Sequence, residues 1–198
     1  MPSPVGHSIA GATIAWLLEP RGRSDARADS TRLAGFGPLT WWCAFLAAAA
    51  DLDLLLPGTH RTFTHSVTAV AITCITTIVV MTVTGKVTAP AAWRVALACS
   101  AAYASHLLLD WMAVDDTPPR GIQMLWPFSR EWFISNWDLF RGTARLGVFT
   151  APAIRQNVLA VTQEILSLAP IAYVVWLVRV KPAAGLPTEV AGSHHPAE

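Results

Sequence analysis

Apolar residues gather into five runs along the chain, separated by polar, proline-rich or glycine-rich stretches. The runs cover residues 5–18, 38–56, 66–84, 91–112 and 157–180. The run at 66–84 contains Val, Ile and Thr, but an uninterrupted apolar stretch of this length predicts a helix in lipid rather than a strand in water. The run at 5–18 is short for a span and predicts a tilted or partly inserted helix. The pattern therefore predicts an all-α fold, a polytopic membrane helical bundle with about four to five membrane-embedded helices.

The segments between and after the runs complete the predicted organisation. Residues 19–37 carry Arg, Asp, Pro and Gly and predict a polar loop. Residues 114–156 are polar and aromatic, and they are predicted to lie along the membrane surface and cover the polar residues gathered there. Residues 181–198 are rich in Pro and Gly and predict a disordered tail. A single domain over residues 1–180 is expected.

Composition supports a membrane protein and weakens other classes. Of the 198 residues, 53% are hydrophobic and only 14% are charged, whereas soluble domains average about a quarter charged. A net charge of +1 gives no electrostatic reason to expect a nucleic-acid partner. Cys43, Cys74 and Cys99 each lie inside an apolar run, so we interpret them as small hydrophobic residues and predict no disulfide.

Charged and imidazole side chains concentrate in residues 50–66, ADLDLLLPGTHRTFTHS, where two apolar runs meet. If the runs cross the bilayer alternately, the start of the first run and the end of the fourth lie on the same membrane face as this junction. Charged groups near hydrocarbon are costly and tend to be functional. The pattern therefore predicts a metal site at one membrane face, with these candidate ligands: His7, Asp51, Asp53, His60, His65, His106 and Asp110.

The spacing of these residues suits coordination. His106 and Asp110 are four apart and share a helical face, so both can reach one ion. Asp51 and Asp53 point apart on a regular helix, so one can ligate while the other orients a histidine. Imidazole and carboxylate ligands favour a divalent metal, zinc first and manganese or iron as alternatives. One or two ions are expected, and paired ions typically serve hydrolysis of phosphate esters.

Each candidate also has a non-catalytic interpretation. His60 and His65 could be surface residues that flank a loop, and Asp51 could cap a helix end in the headgroup region. His106 and Asp110 could form a hydrogen-bonded pair between helices. Arg61 either extends to lipid headgroups or grips a substrate phosphate. Glu164 is either a further ligand or acid/base group, or a polar contact between helices. The catalytic candidates are Asp51, Arg61 and Glu164.

The motifs HRTFTHS, the preceding DLD, SHLLLDW and LWPFS resemble the YdjM-like family of bacterial inner-membrane proteins, which are described as membrane-bound metal-dependent hydrolases. The resemblance covers residues 7 to about 168. It implies that the seven candidate ligands match the polar positions of the family. Ala50 stands where the family usually has Pro before the first aspartate, and Thr62 stands where it usually has Gly.

The function expected is a membrane-bound metal-dependent hydrolase that attacks a phosphoester or lipid-like substrate with a metal-activated water. The alternative is a non-enzymatic metal-binding membrane protein, either a transporter, a sensor or a scaffold. A transporter needs polar groups across the bilayer, and the apolar runs offer little beyond Glu164. We expect membrane lipid as the surrounding partner, and the pattern makes no prediction of oligomeric state.

Orientation in the bacterial inner membrane is predicted from Lys and Arg on each side. The side away from the junction carries Arg21, Arg23, Arg27, Arg32, Lys86, Arg94, Arg179 and Lys181. The junction side carries Arg61, Arg120, Arg130, Arg141, Arg145 and Arg155. The excess on the first side predicts that it is cytoplasmic and that the metal site is extracytoplasmic.

Overall fold

The computed structural model describes residues 1–19, 35–56, 59–85 and 88–180. The described chain forms five α-helices: α1 (Pro4–Leu18), α2 (Pro38–Ala49), α3 (Val67–Val83), α4 (Ala89–Trp111) and α5 (Ala151–Arg179). Two short 3₁₀ helices, Ala50–Leu55 and Phe63–His65, lie between α2 and α3. Extended pairing in these residues is limited to two isolated bridges, Ala113 with Phe140 and Ile122 with Phe133. The predicted all-α class is confirmed.

Local sequence signals explain where the helices begin. The Ser3 side chain accepts a hydrogen bond from the backbone N–H of Gly6, and the Ser66 side chain accepts one from Ala69. Such serine caps satisfy the free N–H groups of a first helical turn. Proline occupies the first turn of α1, α2, α4 and α5, where its missing N–H costs nothing. Helix α5 begins at Ala151, earlier than the apolar run from 157 predicted, and its first turns include the polar residues Arg155 and Gln156.

The run predicted as one helix over 38–56 divides into two elements. Helix α2 ends at Ala49, and a 3₁₀ helix continues from Ala50 to Leu55. A 3₁₀ helix is more tightly wound than an α-helix, so it changes the directions of the side chains that follow. Asp51 and Asp53 therefore do not lie on the regular helix that the sequence suggested.

Helices α1 and α4 form the centre of the bundle. Helix α1 packs against α2, α4 and α5, and α4 packs against α1, α2 and α3. A Cβ atom on Gly11 would lie 2.4 Å from the Cys43 carbonyl oxygen, so α1 and α2 meet at backbone distance, as small residues allow in membrane helices. The three cysteines are free. The core between these helices consists of small residues: Ala15, Cys43, Ala47, Ala98, Cys99 and Ala102.

Large apolar side chains lie on the outside of the bundle. Trp41 is 64% exposed and Leu166 is 71% exposed, and α3 has no buried residue. By length and composition, the segments Pro38–Leu55 and Ala151–Arg179 could each cross a membrane, and Pro4–Leu18 and Val67–Val83 are shorter apolar helices. An interior of small residues under an apolar exterior is an arrangement that lipid stabilises.

Residues 112–150 fold back over the two 3₁₀ helices. The Gln123 N–H donates to the Arg61 carbonyl oxygen, and the Val67 N–H donates to the Met124 carbonyl oxygen. The Thr68 hydroxyl donates to the Trp126 carbonyl oxygen. This segment, which we call the covering segment, thus lies against the polar junction.

Two sequence predictions concern residues outside the described ranges. They are the larger part of the polar loop at 19–37 and the disordered tail at 181–198. They remain predictions.

Candidate metal centre

Four acidic and imidazole side chains converge where α4 ends beneath the covering segment. Asp51, His65, His106 and Asp110 each offer one ligand atom, and these four atoms lie within 4.8 Å of one another. We call these four residues the metal cluster. Asp51 and His65 come from the two 3₁₀ helices, while His106 and Asp110 lie one turn apart near the end of α4. Polar side chains from three separate elements thus lie together.

The distances inside the metal cluster are those of groups directed at a common centre. His65 Nε2 and His106 Nε2 are 3.1 Å apart. Asp110 Oδ2 lies 3.2 Å from the His106 nitrogen and 3.3 Å from the His65 nitrogen. Asp51 Oδ1 lies 3.7 Å from His65 Nε2. The side chains of His65, His106 and Asp110 are fully buried, whereas that of Asp51 is 10% exposed.

Contacts at the opposite ring nitrogen orient both histidines. His106 Nδ1 lies 2.7 Å from the Ala47 carbonyl oxygen; since a carbonyl only accepts, Nδ1 carries the hydrogen and Nε2 presents a lone pair. His65 Nδ1 lies 2.9 Å from the Thr64 hydroxyl oxygen and 3.3 Å from Asp53 Oδ2. Carbonyl and carboxylate partners of this kind fix metal-binding histidines in proteins. Two lone pairs at 3.1 Å repel one another unless a positive charge lies between them.

The electrostatics of His65 reveal the same requirement. Burial opposes its protonation, but the carboxylates of Asp110, Asp51 and Asp53 together hold the pKa of His65 well above its ordinary value. The surrounding carboxylates therefore favour a positive charge at this position, which can be a proton or a metal ion. Binding a metal ion there requires the proton to leave.

Several polar atoms in the cluster and beside it lack hydrogen-bond partners in the described part of the chain. They include Asp51 Oδ1, both carboxylate oxygens of Asp110 and both ring nitrogens of His7. Leaving buried polar atoms unpartnered is costly, and such groups usually indicate an ion, a water or a functional role. A divalent cation would satisfy the Asp51 and Asp110 oxygens together with the two imidazole nitrogens. The residues thus fit zinc, manganese or iron by donor type.

His7 lies beside the metal cluster rather than within it. Its ring stacks on that of His106, with centroids 3.8 Å apart and planes inclined by 19°. His7 Nε2 lies 3.5 Å from Asp110 Oδ1. Helix α1 thus brings the first predicted ligand to the back of the cluster, where it can contact the free oxygen of Asp110.

Asp53 and His60 form the supporting layer of the site. Asp53 Oδ1 lies 2.6 Å from His60 Nδ1, and Asp53 Oδ2 accepts hydrogen bonds from the Arg61 N–H and the Thr64 hydroxyl. His60 Nε2 contacts the Arg145 guanidinium, which can only donate, so Nε2 accepts and Nδ1 donates to Asp53. Asp53, His60 and His65 also form a second group that could hold an ion. In this arrangement, however, both His60 nitrogens are occupied, and Asp53 orients histidines.

The Arg61 guanidinium is held within the protein and does not extend to the metal cluster. Arg61 is buried, and its guanidinium pairs with the Asp115 carboxylate and donates to the Thr117 carbonyl oxygen at 3.3 Å. It also lies over the Trp132 ring, 5.7 Å from the centroid. Its backbone has a positive φ of 66°, which directs its N–H to Asp53 while the side chain turns to the covering segment. The guanidinium is thus occupied by groups of the chain itself, and a contact of Arg61 with a headgroup or a substrate phosphate remains a prediction.

Glu164 lies away from the cluster, at the N-terminus of α1. This fully buried side chain accepts hydrogen bonds from the Ser3 N–H at 2.7 Å, the Ser3 hydroxyl and the Gly6 N–H at 3.1 Å. Of the two interpretations of Glu164, the structure places it in the polar contact between helices. A carboxylate there is favourable because helix N-termini carry partial positive charge.

Arg145 is the residue near the cluster that the sequence did not single out. It lies in the covering segment, and its Nη2 is 4.0 Å from Asp51 Oδ1. It is 85 residues from His60 in sequence, so no local spacing connects the two. The sequence feature that could have pointed to Arg145 was its position in the polar-aromatic segment, which was predicted to cover the site.

A family model described as YdjM inner membrane protein matches residues 1–184. The chain belongs to the YdjM inner membrane protein family. The family predicted from HRTFTHS, DLD, SHLLLDW and LWPFS is thereby confirmed. No curated protein and no solved structure matches the chain. Among the residues described for this YdjM family protein, the metal cluster is thus the main guide to what the chain does.

Proposed function

We propose that this YdjM family protein is a membrane-bound metal-dependent hydrolase acting on a phosphoester or lipid-like substrate. The observation that carries this proposal is the convergence of Asp51, His65, His106 and Asp110 with carboxylate oxygens left unpartnered. Three of these side chains are buried, and Asp51 at the edge is partly exposed. The edge of the cluster at Asp51 is therefore where a substrate would approach.

The chain's own residues supply orientation and a proton acceptor. His65 and His106 present Nε2 because Thr64 Oγ1 with Asp53, and the Ala47 carbonyl oxygen, occupy their other nitrogens. When bound, a divalent cation, zinc first among the candidates and present as one or two ions, supplies Lewis-acid activation of the ester and of a water molecule. Asp51 offers Oδ1 to the ion, and its second carboxylate oxygen accepts the proton of that water. The burial of the remaining ligands excludes bulk water from the cluster.

The membrane arrangement is part of the same proposal. Four to five of the helices lie in the inner membrane as a multi-pass bundle, with the metal cluster on the extracytoplasmic side. The exposed apolar side chains of α3 and α5 support the embedding. The Lys and Arg count supports the orientation, although Arg21, Arg23, Arg27, Arg32, Lys86 and Lys181 lie outside the described residues.

One observation favours a second candidate function. Structural metal sites are closed by protein ligands, whereas catalytic sites keep an open position. The full burial of His65, His106 and Asp110 therefore also suits a non-enzymatic metal-binding membrane protein, such as a transporter, a sensor or a scaffold. The two functions differ in whether the metal-loaded protein turns over a substrate.

The test is hydrolysis by the detergent-purified protein loaded with zinc or manganese. Phosphomonoesters, phosphodiesters and phospholipids would be offered to the wild type, to His106→Ala and to Glu131→Gln, an exposed acid in the covering segment. We expect turnover by the wild type and by Glu131→Gln that is abolished by chelator and by His106→Ala. Stoichiometric metal without turnover of any substrate would contradict the hydrolase and support the non-enzymatic alternative.

A further inference from the structure

Arg145 differs from the other arginine near the site in what surrounds its charge. Arg61 is buried and paired with the Asp115 carboxylate. The Arg145 side chain is 29% exposed. Among the described residues, the carboxylate beside it is that of Asp51, whose Oδ1 lies 4.0 Å from Arg145 Nη2. That distance is beyond a hydrogen bond. Arg145 thus presents a partly solvated guanidinium beside the accessible edge of the metal cluster.

The hydrogen-bond contacts that Arg145 makes are to uncharged acceptors. Its guanidinium donates to His60 Nε2 and approaches the Met1 sulfur at 2.9 Å. A guanidinium carries five N–H donors, so these contacts leave donors available. Guanidinium groups bind phosphate in a bidentate geometry, with two parallel hydrogen bonds.

The position of Arg145 is fixed by its neighbours rather than by its own flexibility. The Asn157 side chain on α5 accepts from the Ala144 N–H at 2.7 Å and donates to the Ala144 carbonyl oxygen at 3.2 Å. His60, which holds the guanidinium, is itself held by Asp53. The same Asp53 carboxylate faces His65 of the metal cluster. One carboxylate therefore sets the relative position of a metal ligand and of Arg145.

We propose that Arg145 is the anion-binding residue of this site and that it takes a phosphoryl group held against the metal cluster. The inference rests on the proposed function and narrows its substrate class to phosphoesters, since a neutral ester offers the guanidinium no charge. A phosphoryl group on Arg145 would lie next to Asp51, at the edge of the cluster. Its source is either a phospholipid headgroup or a soluble phosphoester, which share this chemistry.

The test measures binding without turnover. Zinc-loaded protein in detergent would be titrated with inorganic phosphate and, separately, with phosphatidic acid in micelles, by isothermal titration calorimetry. The variants are Arg145→Gln, Arg145→Lys and Arg141→Gln, an exposed arginine four residues away that serves as the matched control. Zinc content of each variant, measured in parallel, shows that the metal cluster is intact.

We expect Arg145→Gln to weaken binding about tenfold to a hundredfold, as loss of charge-assisted hydrogen bonds does. Arg145→Lys should lose less, and Arg141→Gln should bind as the wild type does. Loss with phosphatidic acid alone indicates a lipid headgroup, and loss with both probes indicates that free phosphate suffices. Unchanged binding by Arg145→Gln with normal zinc content would overturn the inference, as would a wild type that binds neither probe.

Failure of the proposed function would look different. A wild type that binds phosphate through Arg145 but hydrolyses no ester would contradict the hydrolase and leave Arg145 as an anion site. If Arg145→Gln hydrolyses esters and binds phosphate as the wild type does, only the role of Arg145 is contradicted. The hydrolase proposal would then stand.

Discussion

Asp53 shows how a single carboxylate can organise a site without belonging to the metal cluster. It lies against His60 on one oxygen, and its other oxygen accepts from the Arg61 N–H and the Thr64 hydroxyl and faces His65 Nδ1. Charge-assisted contacts of this kind are stronger than neutral hydrogen bonds. The carboxylate thereby fixes which nitrogen His65 presents to the metal cluster.

Replacing this carboxylate should weaken metal binding. Both Asp53 oxygens accept hydrogen bonds, whereas the amide of Asp53→Asn has one accepting oxygen and one donating nitrogen. At least one of His60 and His65 therefore loses its orienting partner. We expect a metal affinity about 10–100-fold below that of the wild type, as changes to such supporting residues typically give. The measurement is competition for zinc with a chelating dye. Asp116→Asn, at an exposed acid, should leave the affinity unchanged, and an unchanged Asp53→Asn would refute the role given to Asp53.

Residue types and spacing predicted which side chains could meet, but not which of them would ligate. The i, i+4 relation of His106 and Asp110 follows from helix geometry alone and could be read directly. Whether Asp51 or Asp53 faces the cluster depends on the 3₁₀ winding after Ala49, which the apolar run does not encode. The place of Arg61 depends on a partner, Asp115, that lies 54 residues away.

At the scale of elements, Glu164 joins α5 to the beginning of α1. Its carboxylate accepts from Ser3 and Gly6, and a Cβ atom on Gly6 would lie 2.6 Å from Glu164 Oε2. The absence of a side chain at Gly6 therefore permits this close approach of the Glu164 carboxylate. Because His7 follows directly, the contact also places the His7 ring against His106.

Removing the carboxylate should destabilise the fold. Glu164→Ala leaves the Ser3 N–H buried without a partner and removes one of the two acceptors of the Gly6 N–H, and an unsatisfied buried donor costs about 1–3 kcal/mol. We expect a lower melting temperature for the detergent-solubilised protein in a thermal-shift assay. The control is Glu131→Gln, an exposed acid whose loss should leave the melting temperature within error. A Glu164→Ala protein as stable as the wild type would show that the contact with α1 contributes little.

The apolar runs predicted the positions of the five α-helices of the described residues, because each of these helices contains a long stretch without charge. The boundaries were harder to predict. Helix α5 extends through the polar residues after Ala151, because its N-terminal turns pack beside the covering segment and need no apolar stripe. The covering segment itself has no periodic pattern, so its contacts with Arg61, Val67 and Thr68 could not be derived from hydropathy.

At the scale of the whole molecule, the elements bearing the metal cluster all end on one side of the bundle. The opposite side carries the turn at Thr84 and Gly85 and the end of α5 at Arg179. The metal cluster therefore lies at one membrane face of the bundle. The orientation proposed above makes that face extracytoplasmic.

Labelling of single cysteines tests this orientation. In a variant with Cys43, Cys74 and Cys99 replaced by alanine, we expect a membrane-impermeant maleimide to label Glu131→Cys in intact cells. Thr84→Cys, exposed on the other side, should be labelled only after the membrane is permeabilised. The reverse pattern would place the metal cluster in the cytoplasm, and labelling of both in intact cells would contradict a membrane-spanning bundle.

The central claim is that His65 and His106 hold a metal ion. The most direct measurement is the metal content of the detergent-purified protein by mass spectrometry, for the wild type and for His65→Ala combined with His106→Ala. The matched control is His194→Ala combined with His195→Ala, two histidines outside the described residues. The account predicts near-stoichiometric zinc, manganese or iron in the wild type and the control, lost in the cluster variant. Metal absent from all three after reconstitution, or retained by the cluster variant, would contradict it.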